Sequence, residues 1–302
     1  TTSFKASAER LYSQTWLLLT LTALFWAGNA IAGQLARGEI APFQLVLVRW
    51  VLVAGVLWWL FGHEVRAHWE IARGRLVYIL LVATTGFTLF NGLFYMAALY
   101  TSGVNIGILQ GSMPALVLVF AFLAYGTRVS AIQGAGVIVT MAGVALVATG
   151  GAPGLLLEQG INLGDGLMLL ACCCYSSYAT ALQKRPAMPG RAFFTLMAIV
   201  SAVTAVPPAI AEAAIAAPPW PTWEGWLVAA FVAIFPSCLA QLFFLRGVDR
   251  IGPGRAGVYI NLVPVFTALL SISLLGQAFE LYHGLALALV LGGILLAQRS
   301  QL

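Results

Sequence analysis

Long uncharged stretches of this chain carry a small set of side chains able to hold a polar solute. They are Trp26 and Asn29, then Tyr78, Asn91 and Tyr95, then Asn105 and Gln110; further on come Tyr175 and Tyr178, Gln241, and Tyr259 and Asn261. Amides and hydroxyls of these kinds can hydrogen-bond an ammonium and a carboxylate, while the rings pack on an apolar side chain or hold a cation. The ordinary alternative for each is a hydrogen bond between helices, worth about 0.6 kcal/mol. Arg49 is the one charge set within such a stretch. It lies roughly 10 Å from the segment end at about 1.5 Å per helical residue. It could attract a substrate carboxylate. The favoured expectation is plainer: it satisfies backbone carbonyls and steadies its helix, since a lone arginine can reach back to the surface.

What is missing narrows the chemistry. Asp165, Glu39, Glu212, Glu224 and Glu280 all fall at segment ends or in loops. No carboxylate is therefore placed for a proton relay in mid-membrane. His283 sits near one segment end and is expected to pack. Cys172, Cys173, Cys174 and Cys238 lie in apolar segments without metal-site spacing. There is no His-Glu-x-x-His and no Ser/His or paired-Asp arrangement, so no enzyme and no cofactor is expected.

The elements that position these groups follow from composition. Of 302 residues, 8% are charged and 61% hydrophobic, and the mean hydropathy is +0.94. A soluble fold would have too few charges to solvate its exterior. The sparse net charge of +5 cannot form a phosphate-tracking patch, so nucleic-acid binding is excluded. A helix needs roughly 20 apolar residues to cross a bilayer. Ten spans are expected: 14–35, 42–61, 76–99, 104–124, 129–149, 164–183, 191–210, 225–245, 256–275 and 281–298. The first is longer than a secretory apolar core and is read as a true span despite Ala30-Ile31-Ala32. None alternates as a porin strand would, so the class is an all-α polytopic membrane protein.

Threading ten spans puts thirteen Lys and Arg residues on the N-terminal side and Arg37 alone on the other. That bias places both termini in the cytoplasm and points to the plasma (inner) membrane. Trp58, Trp59, Trp220, Trp223 and Trp226, at span ends, read as an interfacial belt.

The chain also repeats itself. A shift of 150 places Gly107 on Gly257, Pro114 on Pro264, Gly126 on Gly276, Gly134 on Gly284 and Gly143 on Gly293, and sets Asn91 beside Gln241. A shift of 149 sets Trp26 beside Tyr175 and Gln34 on Gln183. Two five-span halves are expected, 1–149 and 163–302, joined by an extracytoplasmic linker at 150–162. Five is odd, so the second half enters from the opposite side. Such inverted repeats characterise secondary transporters, with the substrate held at the repeat interface. Pro114 and Pro264 break the backbone ladder at equivalent points and are expected to serve as hinges; a static kink is the alternative. Gly103, Gly107 and Gly111 form a packing stripe. The small faces of spans 5 and 10 could meet each other or a second copy, so monomer and homodimer both stay open.

Trp26-Ala27-Gly28-Asn29, followed by Pro42 and Arg49-Trp50, resembles the opening of an EamA repeat, as does Pro114 or Pro264 followed by Gly126 or Gly276 and Gly143 or Gly293. On these motifs the chain is identified as a member of the drug/metabolite transporter superfamily, most similar to the YddG-type amino acid exporters. The resemblance implies a central cavity lined mainly by spans 1, 3, 4, 6, 8 and 9. Many members carry Glu where this chain has Thr127 and Gln277, so no role of that Glu transfers. The expected function is export or facilitated movement of amino acids, aromatic or large neutral ones favoured, by alternating access without proton coupling through a membrane carboxylate. The partners expected are the amino acid substrate and the lipid bilayer. A sugar-phosphate or nucleotide-sugar carrier would need more cavity cations, and a membrane scaffold or receptor gives no reason for the repeat.

Overall fold

Residues 14–152 and 162–299 are described by the structure, a computed structural model. The expected linker at 150–162 therefore lies mostly outside the described residues. Every regular element among them is helical. The main helices are α1 (Thr15–Leu35), α2 (Pro42–Ala67), α3 (Leu76–Tyr100), α4 (Gly103–Gln110 and Met113–Tyr125) and α5 (Ala131–Ala148). The second set is α6 (Leu163–Ala181), α7 (Gly190–Ala216), α8 (Trp223–Ile251), α9 (Pro253–Val258, a 3-10 turn at Tyr259–Asn261, then Leu262–Leu275) and α10 (Leu281–Arg299).

Nine helices among the described residues are long and apolar enough to cross a membrane. The exception to the expected ten is α6, a 19-residue helix whose polar side chains lower its apolarity. Its packing explains this composition. Cys172 Sγ, Ser176 Oγ and Thr180 Oγ1 recur every fourth residue and donate to the carbonyls of Leu109, Met113 and Val117 on α4, at 3.5, 3.2 and 3.5 Å. Residues four apart share one helix face, so α6 turns a polar stripe to α4.

The packing pattern has two-fold character. α5 lies on α10, α2 on α7 and α4 on α9, each helix against its own counterpart. The remaining large contacts come as matched pairs: α1 with α8 and α6 with α3, then α1 with α9 and α6 with α4. Backbone irregularities repeat as well. A π-helical turn at Thr84–Leu89 in α3 answers one at Ala233–Leu239 in α8. Gly126 and Gly276 end α4 and α9 with nearly the same left-handed geometry, φ 64°, ψ 23° and φ 60°, ψ 24°, which glycine adopts without Cβ strain.

Pro114 is the second residue of a new helix rather than a mid-helix kink. α4 breaks just before it, at Gly111–Ser112, and α9 turns 3-10 just before Pro264. The small faces of α5 and α10 pack on each other within one chain. A Cβ on Gly136 would lie 2.5 Å from the Gly293 carbonyl, and one on Gly143 2.8 Å from that of Ala286. The Gly103-Gly107-Gly111 stripe brings α4 onto Ser271 and Thr267 of α9 and Val290 of α10.

Candidate functional site

Arg49 neither reaches back to the surface nor binds backbone carbonyls. It is 5% exposed and donates to four side chains on three other helices. Nε bonds Ser237 Oγ of α8 at 2.7 Å; Nη1 meets Asn29 Oδ1 of α1 at 3.1 Å, and Asn91 Oδ1 and Tyr95 Oη of α3 at 2.7 and 2.6 Å. Nη1 has two hydrogens for three oxygens, so these contacts share donors. Asn91 and Tyr95 stand one helical turn apart on the same face.

Each partner is itself held. Tyr95 Oη donates to Asn29 Oδ1 at 2.8 Å, Asn91 Nδ2 to the Phe87 carbonyl at 2.6 Å, and Ser237 Oγ to the Val232 carbonyl at 2.6 Å. The last two carbonyls lie within or beside the π turns, where a widened ladder leaves acceptors for side chains. Trp26 Nε1 donates to the Pro236 carbonyl of the same α8 turn at 3.1 Å. Arg49 thus joins α1, α2 and α3 of the first half to α8 of the second.

Among the described residues no carboxylate oxygen lies within 4.0 Å of Arg49. A cation well inside a membrane costs several kcal/mol, and hydrogen bonds from it to neutral oxygens, about 1.5–3 kcal/mol each, offset that without neutralising it. The site keeps a net positive charge.

Aromatic rings border it in an unbroken series. The guanidinium lies 5.3 Å from the Trp50 ring centroid and 6.0 Å from that of Tyr95. Trp50 stacks on Phe87 at 4.6 Å; Phe87 meets Tyr178 at 5.4 Å, and Tyr178 meets Tyr175 at 5.4 Å. Tyr175 then reaches Phe90 at 5.1 Å, and Phe94 leads back to Tyr95 at 5.5 Å. α6 contributes its tyrosines here because Gly86 has no side chain; a Cβ there would sit 2.3 Å from Tyr178 Cγ.

The other expected site residues sit elsewhere. Asn105 belongs to a second cluster, near the Arg37 end, where its Nδ2 donates to both oxygens of Asp165 at 3.3 and 3.2 Å. Thr101 Oγ1 donates to the same carboxylate at 2.5 Å, and Asp165 is 3% exposed. His283, expected simply to pack, accepts the Glu280 N–H at Nδ1 (2.9 Å) and so presents Nε2–H to Asn105 Oδ1 at 3.1 Å. Tyr78 Oη donates to the Ala181 carbonyl at 2.7 Å and caps α6. Asn261 bonds Gln298 at 3.4 Å. Gln110 Oε1 is buried without a partner among the described residues, on a helix that α2 does not pack along. No hydrogen bond ties Gln241 or Tyr259 to the Arg49 group among the described residues.

Residue type and position gave no reason to select Ser237. The available signal was Pro236 just before it, a proline inside an apolar span that frees a carbonyl for a neighbouring hydroxyl.

The two ends of the molecule differ. At the Arg37 end, Gln34 Nε2 donates to the Thr101 carbonyl at 2.9 Å, Gln277 Nε2 to Gln34 Oε1 at 3.3 Å, and Gln277 Oε1 accepts the Gly103 N–H at 2.9 Å. Arg37 adds a bond to the Thr101 carbonyl at 2.6 Å. This chain fastens α1, α3, α4 and the α9–α10 turn. The equivalent residues at the arginine-rich end, Gln183 and Thr127, are exposed.

The profile of the EamA-like transporter family matches residues 14–149 and again 162–298. A Bacillus subtilis (strain 168) protein described as the uncharacterized transporter YyaM is 26% identical over 294 residues, spanning 93% of this chain and 92% of that protein. An uncharacterized transporter of Archaeoglobus fulgidus is 25% identical over 292 residues, spanning 96% and 99%. One solved crystal structure shares the fold with a TM-score of 0.61 at 20% identity, over 94% of this chain and 97% of that one.

Proposed function

The chain belongs to the EamA-like transporter family, and from that premise we propose that it is a secondary transporter moving amino acids with aromatic or large neutral side chains across the plasma (inner) membrane. The observation that carries this reading is Arg49, a buried cation bound to neutral side chains from both halves and, among the described residues, lacking a carboxylate partner. A substrate carboxylate supplies the missing charge, and the ring series from Trp50 to Tyr95 receives the apolar body.

In this reading α6 crosses the membrane as the tenth span, enclosed enough to tolerate its polar stripe. Both termini lie at the arginine-rich, cytoplasmic end, and the units 1–149 and 163–302 face each other across the 150–162 connection. Substrate passes by alternating access, with the break before Pro114 and the 3-10 turn before Pro264 as the bending points of α4 and α9. Export resembling that of the YddG-type carriers is the expected direction, and no mid-membrane carboxylate couples it to protons.

The test is flux of labelled phenylalanine and leucine into liposomes holding the purified protein, with and without a pH gradient. The expected result is saturable uptake that ignores the gradient and falls at least tenfold in Arg49→Gln. Uptake of a phosphorylated sugar with no amino acid flux would overturn the reading.

A further inference from the structure

We infer that the Arg49 site selects organic monocarboxylates with an aromatic body over the corresponding zwitterionic amino acids, so that a deaminated acid is its stronger ligand. The inference rests on the reading that Arg49 receives a carboxylate and refines what the rest of that ligand must be.

The argument is an inventory of donors and acceptors. A ligand with an α-ammonium needs acceptors for it, and the neutral oxygens near Arg49 are already engaged, with at most one lone pair left on each. Asn29 Oδ1 receives both Arg49 and Tyr95, and Asn91 Oδ1 receives Arg49. Ser237 Oγ accepts from Arg49 and gives its own hydrogen to Val232. The carbonyls beside the two π turns are occupied too: Phe87 by Asn91, Val232 by Ser237 and Pro236 by Trp26.

What is left over is donor capacity. Arg49 Nη2 makes no hydrogen bond among the described residues, all four contacts being through Nε and Nη1. Trp50 Nε1, on a residue 2% exposed, is buried without a partner among the described residues. An unpaired buried donor is costly until an acceptor meets it, and a carboxylate brings two acceptor oxygens. An ammonium in the same place finds only single remaining lone pairs on neutral oxygens, no carboxylate among the described residues, and a guanidinium of like charge beside it.

The eight acidic residues described stand at helix ends or in connecting turns, away from Arg49: Glu39 is bonded to Thr222, Glu64 to Arg191, Glu70 to Arg73, Asp165 to Thr101, and Glu212 to backbone N–H groups of α2. Glu224 lies in the first turn of α8, Asp249 in its last, and Glu280 just before α10. None is available to an ammonium held beside Arg49. Among the described residues the one buried amide oxygen without a partner is Gln110 Oε1 on α4; a two-point site using Arg49 and Gln110 would give the opposite ranking.

The experiment is calorimetric binding to the full-length protein in lipid nanodiscs of three ligands with one ring and one chain length: 3-phenylpropionate, phenylalanine and phenethylamine. The expected order is 3-phenylpropionate at least tenfold tighter than phenylalanine, with no saturable binding of phenethylamine at millimolar concentration. Arg49→Gln is expected to weaken 3-phenylpropionate at least tenfold. Trp50→Phe, which keeps a ring and removes the N–H, should weaken it several-fold. Thermal unfolding of both variants confirms that they are folded. Phenylalanine binding as tightly as 3-phenylpropionate or tighter, while Arg49→Gln still weakens it, overturns this inference and leaves the carboxylate reading standing; loss of the phenylalanine advantage in Gln110→Met would then place the ammonium. Absence of binding by all three to folded protein overturns both.

Discussion

Gly292 and Gly293 are neighbours in α10, yet alanine at the two positions is expected to act in opposite directions. A Cβ on Gly293 would fall 2.3 Å from Thr140 Oγ1, 2.5 Å from the Gly136 carbonyl oxygen and 2.6 Å from the Thr140 nitrogen. Ordinary carbon contacts begin near 3.5 Å. Two of the three obstructing atoms are backbone, so rotamer changes cannot clear them and α5 must move off α10 by about 1 Å. Overpacking of this kind costs roughly 1–3 kcal/mol. At Gly292 no atom lies within 4 Å of the added carbon, so only the intrinsic preference of a helix for alanine remains, about 0.5–1 kcal/mol in its favour. The helix preference is common to both, so the two variants should differ by the overpacking alone, roughly 1–3 kcal/mol, which for a chain of this size is roughly 2–8 °C in apparent melting temperature. The assay is to heat each purified variant in detergent at one fixed rate and score the monodisperse fraction by size-exclusion chromatography, because unfolding here is read as a rate. Gly293→Ala melting together with Gly292→Ala would refute the close backbone approach. A penalty that deepens on dilution of the protein would instead move Gly293 to a contact between copies.

Arg49→Met should fold with stability within about 2 kcal/mol of the parent, because relief of a buried charge offsets the acceptor left unpaired at Asn91, while labelled phenylalanine flux in liposomes falls at least tenfold. Gln277→Leu removes the acceptor of the Gly103 N–H and the partner of Gln34. A cysteine placed at the buried Thr101 should then label several-fold faster with an impermeant maleimide, whereas Thr127→Val at the exposed equivalent position should leave the rate unchanged. Gly86→Ala should disturb the aromatic series, since its Cβ would fall on Tyr178. Near-ultraviolet dichroism and ligand binding are expected to change together, with far-ultraviolet helicity kept.

The features legible in the sequence were those that residue type imposes on the backbone. Gly126 and Gly276 had to be glycine to end their helices left-handed, so their spacing survives as a visible repeat. Pro114 marks a real break and Pro264 a tightening to 3-10, each falling just before the proline, because the missing N–H is tolerated in a first helical turn. α6 was recognised as a segment, yet its stripe of Cys172, Ser176 and Thr180 makes sense only once α4 is seen beside it. At the site, Asn29, Asn91 and Tyr95 stood out as polar groups in apolar spans. Nothing in their spacing told them apart from Gln241 or Tyr259, because their grouping depends on where α1 and α3 meet α2. Ser237 was invisible, since a lone serine in a span is cheap to bury. Asp165 and His283 were set aside as segment-end residues while Asn105 was read as a solute-binding one, and only folding brings the three together.

The paired π turns carry a historical consequence. A π turn is an α-helix with one residue inserted, and such an insertion is mildly destabilising unless something uses it. Two independent insertions at matching points of α3 and α8 would be a coincidence of position. One insertion in a five-helix ancestor, copied when that unit doubled, accounts for both. The copies then diverged around a single cation: the α3 turn came to support Asn91 and the α8 turn to supply Ser237. The second half has no arginine at the matching point, Ala198 and Ile199 standing 149 and 150 residues beyond Arg49. Doubling the gene is what allowed the pair of equal surfaces to become unequal, and a single buried charge needs that inequality.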